Sequence, residues 1–245
     1  MILAAHQPNY LPWLGLLHKI ASSDVFVLAD HVQYEKQGFQ NRNRIKTHDG
    51  AKWLTVPVRR EGRDRTVSET RIADDDRWRR QTFRTIETAY CRAPHFRVYA
   101  EPIAAIYNKG WERLIDLNNA LLQVFLDCLE IRTPIILGSS LSPEGKKTEM
   151  IVDLCRLAGA DTYLSGRGGS IDYLDRALLS AAGIRLAWQE FTHPVYPQLH
   201  PQHGFLANLS VLDLLFNCGP DSRQILLGAS ADNSANYSLQ ATLPT

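Results

Sequence analysis

The clearest pattern of apolar and polar positions lies in the first thirty residues. Residues 2–5 form a short apolar run, Leu14, Leu17 and Ile20 recur at helical spacing, and residues 25–29 form a second apolar run. Two unbroken apolar runs around an amphipathic segment are typical of a βαβ unit whose strands are buried on both faces. The pattern therefore predicts strand, helix and strand across residues 1–30.

The same alternation returns in the second half of the chain. Apolar runs at residues 133–137, 162–165 and 184–191 are separated by helical patterns at residues 147–158 and 171–182. Strands that alternate with helices favour a parallel sheet covered by helices. We therefore predict an α/β fold, a Rossmann-like, mostly parallel sheet with flanking helices.

Between these regions, about residues 75–130, the chain is predicted to be a helical section, either an outer layer of the same domain or an insertion. Before it, residues 31–50 are interpreted as a polar loop, and residues 53–58 and 66–72 as strands. A further helix is expected after Ser210, which can serve as its N-cap. Residues 1–228 are predicted to form a single domain, and residues 229–245, which are small and polar, a disordered tail.

Composition and charge exclude several classes of function. The chain of 245 residues has 27 basic and 26 acidic side chains, so no overall field attracts nucleic acid. Its four cysteines are scattered, which predicts reduced thiols in a cytoplasmic protein. We expect neither a signal peptide nor a membrane span. Homo-oligomerisation is left open.

Neither a metal nor a cofactor is predicted. His193, His200 and His203 have no acidic or cysteine neighbour at zinc-ligand spacing. The glycines that follow residue 165 match neither the Walker loop nor the dinucleotide-binding fingerprint.

Polar side chains follow the first two predicted strands. His6, Gln7, Asn9 and Tyr10 come after the first strand, and Asp30 ends the second. In open α/β sheets the ligand crevice lies beyond the carboxyl ends of the strands. His6 alone could be a structural histidine, but five polar groups at one sheet edge favour a site. We expect His6 to act as general base or phosphate contact, and Asp30 to orient it or the acceptor.

Two further clusters could bind an anion. Gln33, Asn41 and Arg42 lie in the polar segment of residues 31–50, and a guanidinium suits a carboxylate or phosphate. The other interpretations of this segment are a solvated loop and a nucleic-acid contact through aromatics interleaved with cations, which the lack of a matching basic face elsewhere disfavours. Ser165, Gly166 and Arg167 lie between a predicted strand and a helix, where backbone amides can hold an anion. A plain turn explains these residues equally well.

Several segments together resemble the WbqC-like protein family. They run in order along the chain at residues 6–15, 30–34, 39–42, 53–57, 163–166, 196–198 and 209–219. The resemblance implies a context of bacterial O-antigen, lipopolysaccharide or other surface-glycan biosynthesis. It also adds Tyr196 and Gln198 to the candidate substrate-binding residues.

The first unit is distantly similar to HUP-type nucleotidylyltransferases, which carry a His-x-Gly-His turn. His6 keeps the first position, but Pro8 replaces the glycine and Asn9 the second histidine. Losing one imidazole removes a partner for transition-state charge.

The predicted function is a group transferase in glycan or specialised-metabolite biosynthesis. Its partner would be an anionic, phosphorylated or carrier-linked small molecule bound at the carboxyl edge of the sheet. One alternative is a non-catalytic ligand-binding or accessory subunit of a glycan-biosynthesis enzyme. A second alternative is a nucleotidylyltransferase.

Overall fold

The computed structural model describes residues 1–60, 62, 64–168, 174–228 and 237–239. The strands are β1 (Ile2–His6), β2 (Val25–Leu28), β3 (Arg42–Thr47), β4 (Gly50–Thr55), β5 (Ile135–Leu137), β6 (Thr162–Ser165), β7 (Arg185–Gln189) and β8 (Tyr237–Leu239). The helices are α1 (Leu14–Ala21), α2 (Arg77–Tyr90), α3 (Phe96–Tyr107), α4 (Leu114–Cys128), α5 (Gly138–Leu141), α6 (Thr148–Ala158), α7 (Arg176–Ala181), α8 (Val211–Cys218) and α9 (Ser222–Leu227).

Six of the described strands form one sheet in the order β5-β2-β1-β6-β7-β8. The first five are parallel, and β8 pairs antiparallel with β7. From β1 the chain builds the sheet in one direction through β2, and later in the other direction through β6 and β7. The order therefore reverses between β1 and β6, which confirms the predicted α/β, mostly parallel, Rossmann-like fold.

Two hydrophobic cores lie on opposite faces of this sheet. Along β2, Phe26 and Leu28 belong to one core, while Val25 and Val27 belong to the other. The first core includes α1, α8 and the helical section α2 to α4, and the second includes α6 and α7. Right-handed crossovers in opposite directions place their helices on opposite faces, which explains this division.

The predicted helices of the middle and C-terminal sections are present. Helices α2, α3 and α4 occupy the predicted section, and their buried residues share a core with α1 and β1. Ser210 caps α8, because its hydroxyl accepts a hydrogen bond from the backbone N–H of Leu212 at 3.3 Å. The predicted helix at residues 171–182 is shorter, since α7 begins at Arg176 and residues 171–173 lie outside the described part.

The prediction of a loop over residues 31–50 is wrong from Arg42 onward. Strands β3 and β4 form an antiparallel hairpin in which Arg42 faces Thr55. Asn43 and Ile45 in β3 are fully buried, and the Asn43 amide donates to the Leu11 carbonyl at 2.6 Å. Asn43 interrupts the alternation of apolar and polar residues by which a strand is recognised in a sequence. It can nevertheless lie on the buried side of β3, because a backbone carbonyl replaces water as its hydrogen-bond partner.

The predicted strand at residues 66–72 and part of the predicted disordered tail also differ from the structure. Residues 66–72 form only isolated bridges, such as the one that joins Val58 to Ile72. The polar composition beyond Gly228 does not predict strand β8, which extends the sheet next to β7. The rest of the predicted tail, residues 229–236 and 240–245, lies outside the described residues.

Candidate functional site

A cavity of about 1100 Å³ lies at the carboxyl edge of the sheet. Its lining includes the end of β1 at His6 and Gln7, the end of β6 at Ser165 and Gly166, and one side of α1. It therefore lies at the point where the strand order reverses, which is where open α/β sheets bind ligands. We call it the edge cavity.

Helix α1 packs a glycine against the Trp13 ring and is tied to the end of β7 by an amide. A Cβ on Gly15 would lie 2.2 Å from the Trp13 ring, so only glycine fits there. Gln189, at the end of β7, donates to the Gly15 carbonyl at 2.9 Å and contacts the His18 ring at 3.0 Å. These contacts fix the face of α1 that borders the edge cavity.

His6 lies at the end of β1 with its tautomer defined by the backbone. Its Nδ1 is 2.8 Å from the carbonyl oxygen of Gln7. Because a carbonyl can only accept, Nδ1 carries the hydrogen and Nε2 carries the lone pair. Burial, and then the nearby charge of Lys19, lower the pKa of His6 to about 4. At neutral pH His6 is therefore a neutral imidazole that can accept a proton.

Lys19 on α1 is a buried cation beside His6. Its side chain is 6% exposed, and its Nζ donates to the Ala5 carbonyl at 3.0 Å. Burial lowers its pKa to about 8. Because the ammonium has little contact with water, an anion bound in the edge cavity would gain strongly from its charge.

Further charged residues surround the same space. Lys147 lines it as an exposed cation, and Glu35 as an exposed carboxylate. Arg167 is paired with Glu190, which also accepts from Ser238 at 2.7 Å. These two hydrogen bonds lower the pKa of Glu190, so the pair stays ionised. Among the described residues that line the cavity, Lys19 and Lys147 are the cations without a carboxylate partner.

The structure brings six of the predicted site residues together. Those that line the edge cavity are His6, Gln7, Gln33, Ser165, Gly166 and Arg167. Gln7 is held in place by Gln40, whose Nε2 donates to the Gln7 Oε1 at 2.8 Å. The predicted clustering of the β1 and β6 strand ends is therefore present in this fold.

Asp30 has a different partner from the one we predicted. Its two carboxylate oxygens accept from the backbone N–H of Ser139 at 2.7 Å and from the Ser139 hydroxyl at 2.6 Å. Among the described residues, no hydrogen bond joins Asp30 to His6. The carboxylate instead ties the end of β2 to the start of α5.

Asn9 and Tyr10 are buried in the turn after β1. The Asn9 amide donates to the Pro8 carbonyl at 3.2 Å, and the side chain is 5% exposed. The fully buried Tyr10 hydroxyl is hydrogen-bonded to Tyr107 on α3. Both side chains therefore shape the turn that presents His6, and a substrate role for them stays a prediction.

Tyr196 and Gln198 belong to a buried network away from the edge cavity. Gln198 donates to Asp213 at 2.7 Å and accepts from the buried ammonium of Lys46 at 3.2 Å. Tyr90 donates to the same carboxylate at 2.9 Å. This network fixes the segment after β7 against α8.

Asn41 and Arg42 line a second concavity rather than the edge cavity. It has a volume of about 540 Å³, and the described residues that line it are 34, 36, 37, 41, 42, 55–60, 62 and 65. The anion site that we predicted beside the strand ends is therefore divided between two places. We call the second place the cationic cleft.

Sequence reasoning missed the residue that most changes the chemistry of the edge cavity, Lys19. A lysine in an amphipathic helix is usually a solvated residue. No local pattern signals the burial of Lys19, because the groups that surround its ammonium, the Ala5 carbonyl and the Tyr163 ring, come from β1 and β6. Gln189 and Glu190 were also missed, because they follow a strand that carries no motif.

Thiol and metal chemistry receive no support from the described residues. The four cysteines are free, and burial raises the pKa of Cys155 to about 12 and that of Cys218 to about 11. Within the described ranges, no group of three or more His, Cys, Asp or Glu residues is arranged to hold a metal. In the same ranges, the helices are too short or too polar to cross a bilayer.

Fold and cavity together define an α/β protein with a cavity at the switch point of a mostly parallel sheet. The model of the WbqC-like protein family matches residues 7–225. An uncharacterized protein of Mycobacterium tuberculosis, Rv1507c, is 35% identical over 226 residues, which is 91% of this chain and 96% of that protein. The chain belongs to the WbqC-like protein family. No solved structure matches it significantly, and the similarity to HUP-type nucleotidylyltransferases stays a hypothesis.

Proposed function

We propose that the protein is a cytoplasmic group transferase of bacterial glycan or specialised-metabolite biosynthesis. It would bind an anionic, phosphorylated or carrier-linked donor in the edge cavity. The observation that carries the proposal is the combination of a neutral imidazole and a buried ammonium at the switch point of the sheet. A neutral base beside a desolvated cation is suited to transfer of an anionic group.

The two side chains would have separate roles in the reaction. Nε2 of His6 takes the proton of an acceptor hydroxyl or amine as its oxygen or nitrogen attacks the transferred group. The bond to the leaving group breaks, and the leaving group departs with the electron pair. The Lys19 ammonium stabilises the negative charge that develops on the donor. As that charge forms, His6 becomes an imidazolium, and its proton is then released to solvent.

A turnover screen tests the proposal directly. Purified protein is incubated with nucleotide sugars, sugar phosphates and acyl thioesters, each combined with hydroxyl and amine acceptors, and read by mass spectrometry. We expect one donor to be consumed with a matching gain in mass on the acceptor, and no such gain with Lys19→Met. A ligand that binds by thermal shift but is never converted would instead identify a non-catalytic binding subunit.

The pH dependence of kcat/KM should be bell-shaped, with both limbs shifted to lower pH than an ordinary histidine and lysine would give. The lowered pKa of His6 keeps the base form down to about pH 4, so activity should fall only below that value. The lowered pKa of Lys19 means that the ammonium is lost above about pH 8, and anion binding should fall there. Initial rates over pH 3.5–10 with the converted donor provide the measurement. An acidic limb near the ordinary histidine pKa would contradict the buried, neutral assignment of His6.

A further inference from the structure

Positive charge is concentrated in the cationic cleft. Among the described residues that line it, five are cationic and none is acidic: Lys36, Arg42, Arg59, Arg60 and Arg65. Asp74 pairs with Arg59 from outside the lining. Residues 61 and 63 lie outside the described part of the chain.

Two of these guanidinium groups are held in fixed positions. Arg42 lies 4.4 Å from the centre of the Trp53 ring and donates to the Gln37 carbonyl. Arg65 lies 4.8 Å from the centre of the Tyr34 ring and donates to the Thr70 hydroxyl at 3.2 Å. Aromatic rings and backbone fix these planes in advance, so little entropy is lost when a ligand binds.

Three polar atoms of the lining residues lack partners. The buried Nε groups of Arg42 and Arg59 have no acceptor in the described part of the chain. Asn41 is 7% exposed, its Nδ2 donates to the Val56 carbonyl at 2.8 Å, and its buried Oδ1 has no donor. Unpaired buried polar atoms are costly, and a ligand that supplies the missing partners would be favoured.

We infer that the cationic cleft is a second binding site, for an organic diphosphate that carries hydroxyl groups. Two adjacent phosphates present enough acceptor oxygens for the guanidinium groups, which a single carboxylate does not. A ligand hydroxyl would donate to Asn41. The volume of about 540 Å³ exceeds what a diphosphate alone fills, so an organic group has room beside it.

The cleft is connected to the edge cavity through one short segment. Gln33 and Glu35 line the edge cavity, whereas Tyr34 and Lys36 line the cleft. Gln40 fixes this segment, because its Oε1 accepts from the Glu35 backbone at 2.8 Å while its Nε2 holds Gln7. A diphosphate in the cleft would order the same segment that borders the edge cavity.

Calorimetric titration with inorganic pyrophosphate tests the site on the full chain. We expect wild type to bind pyrophosphate at least tenfold more tightly than orthophosphate. Arg42→Gln should weaken this binding about 10- to 100-fold, because a fixed charged donor is lost. Arg60→Gln, at an exposed loop residue where a substitution should change stability little, should weaken it less. The matched control is Arg97→Gln, an exposed arginine on α3, which should leave the affinity unchanged.

Three results would overturn the inference. They are an absence of pyrophosphate binding, an equal loss with Arg97→Gln, and a loss with Lys147→Gln but not with Arg42→Gln. The last result would place the anion in the edge cavity and leave the proposed transferase function intact. Conversely, cleft binding without turnover in the donor screen would remove the proposed function and keep this site.

Two further probes distinguish the source of the diphosphate. Uridine diphosphate carries ribose hydroxyls, whereas farnesyl diphosphate carries only an apolar chain. We expect uridine diphosphate to bind more tightly than pyrophosphate, and farnesyl diphosphate to bind no more tightly. The reverse order would overturn the hydroxyl-bearing class and indicate a lipid diphosphate.

Discussion

His6→Asn lowers turnover by about two to four orders of magnitude and changes the melting temperature little. The amide nitrogen of asparagine can take the place of Nδ1 and keep the hydrogen bond to the Gln7 carbonyl. What the substitution removes is Nε2, the atom that would accept the proton. The measurements are kcat, with the donor and acceptor found in the screen, and Tm by differential scanning calorimetry. Full turnover in His6→Asn would show that His6 is a structural residue of the turn.

Two controls separate catalysis from folding. His6→Gln loses the donor to Gln7, so it should also lower Tm, because an unmade buried hydrogen bond costs about 1–3 kcal/mol. Asp30→Asn should lower Tm clearly but kcat only slightly, because both carboxylate oxygens of Asp30 accept hydrogen bonds from Ser139. A double variant of Asp30 and Ser139 should then be non-additive in stability. Strong coupling of Asp30→Asn to His6→Asn in kcat would instead support the role that we first predicted for Asp30.

Lys19→Met should stabilise the protein while removing donor binding. The burial that lowers the pKa of Lys19 to about 8 reflects a desolvation cost that methionine avoids. We expect a gain of about 1–2 kcal/mol after the lost bond to Ala5, and hence a Tm rise of about 2–8 °C. The KM for an anionic donor should rise at least tenfold, because the buried counter-charge is gone.

The matched control for this change is Lys52→Met, an exposed lysine on β4. It should alter Tm only slightly, since exposed substitutions usually change stability by less than about 0.5 kcal/mol. A fall in Tm for Lys19→Met would mean that the bond to Ala5 outweighs the desolvation cost. An unchanged KM would exclude Lys19 from donor binding.

The sequence predicted the sheet because its strands are buried on both faces. Such strands appear as continuous apolar runs, and the polar residues that end them had to meet at one edge. His6 and Ser165 were therefore found together from topology alone. The hairpin β3–β4 was hidden for the opposite reason. Asn43 is buried and satisfied by a backbone carbonyl 32 positions away, which no local pattern records.

The roles of individual polar residues were harder to predict than their positions. Asp30 and Tyr10 were expected in the site, and each is bonded to a residue from a distant element, Ser139 and Tyr107. A sequence shows which side chains can form hydrogen bonds but not which partner the fold brings to them. Lys19 shows the converse, because its ammonium is buried against the Ala5 carbonyl of β1 and the Tyr163 ring of β6.

The position of β1 in the sheet has a consequence for how the protein is made. Ile2 pairs with Thr162, so β1 leaves the ribosome about 160 residues before one of its two neighbours in the sheet. Contacts this distant in sequence slow folding and leave apolar edges open in the meantime. His6 stands at the end of that strand, and the far wall of its cavity comes from β6. Synthesis of β6 therefore has to precede completion of the cavity, which makes the site one of the last features of the nascent chain to assemble.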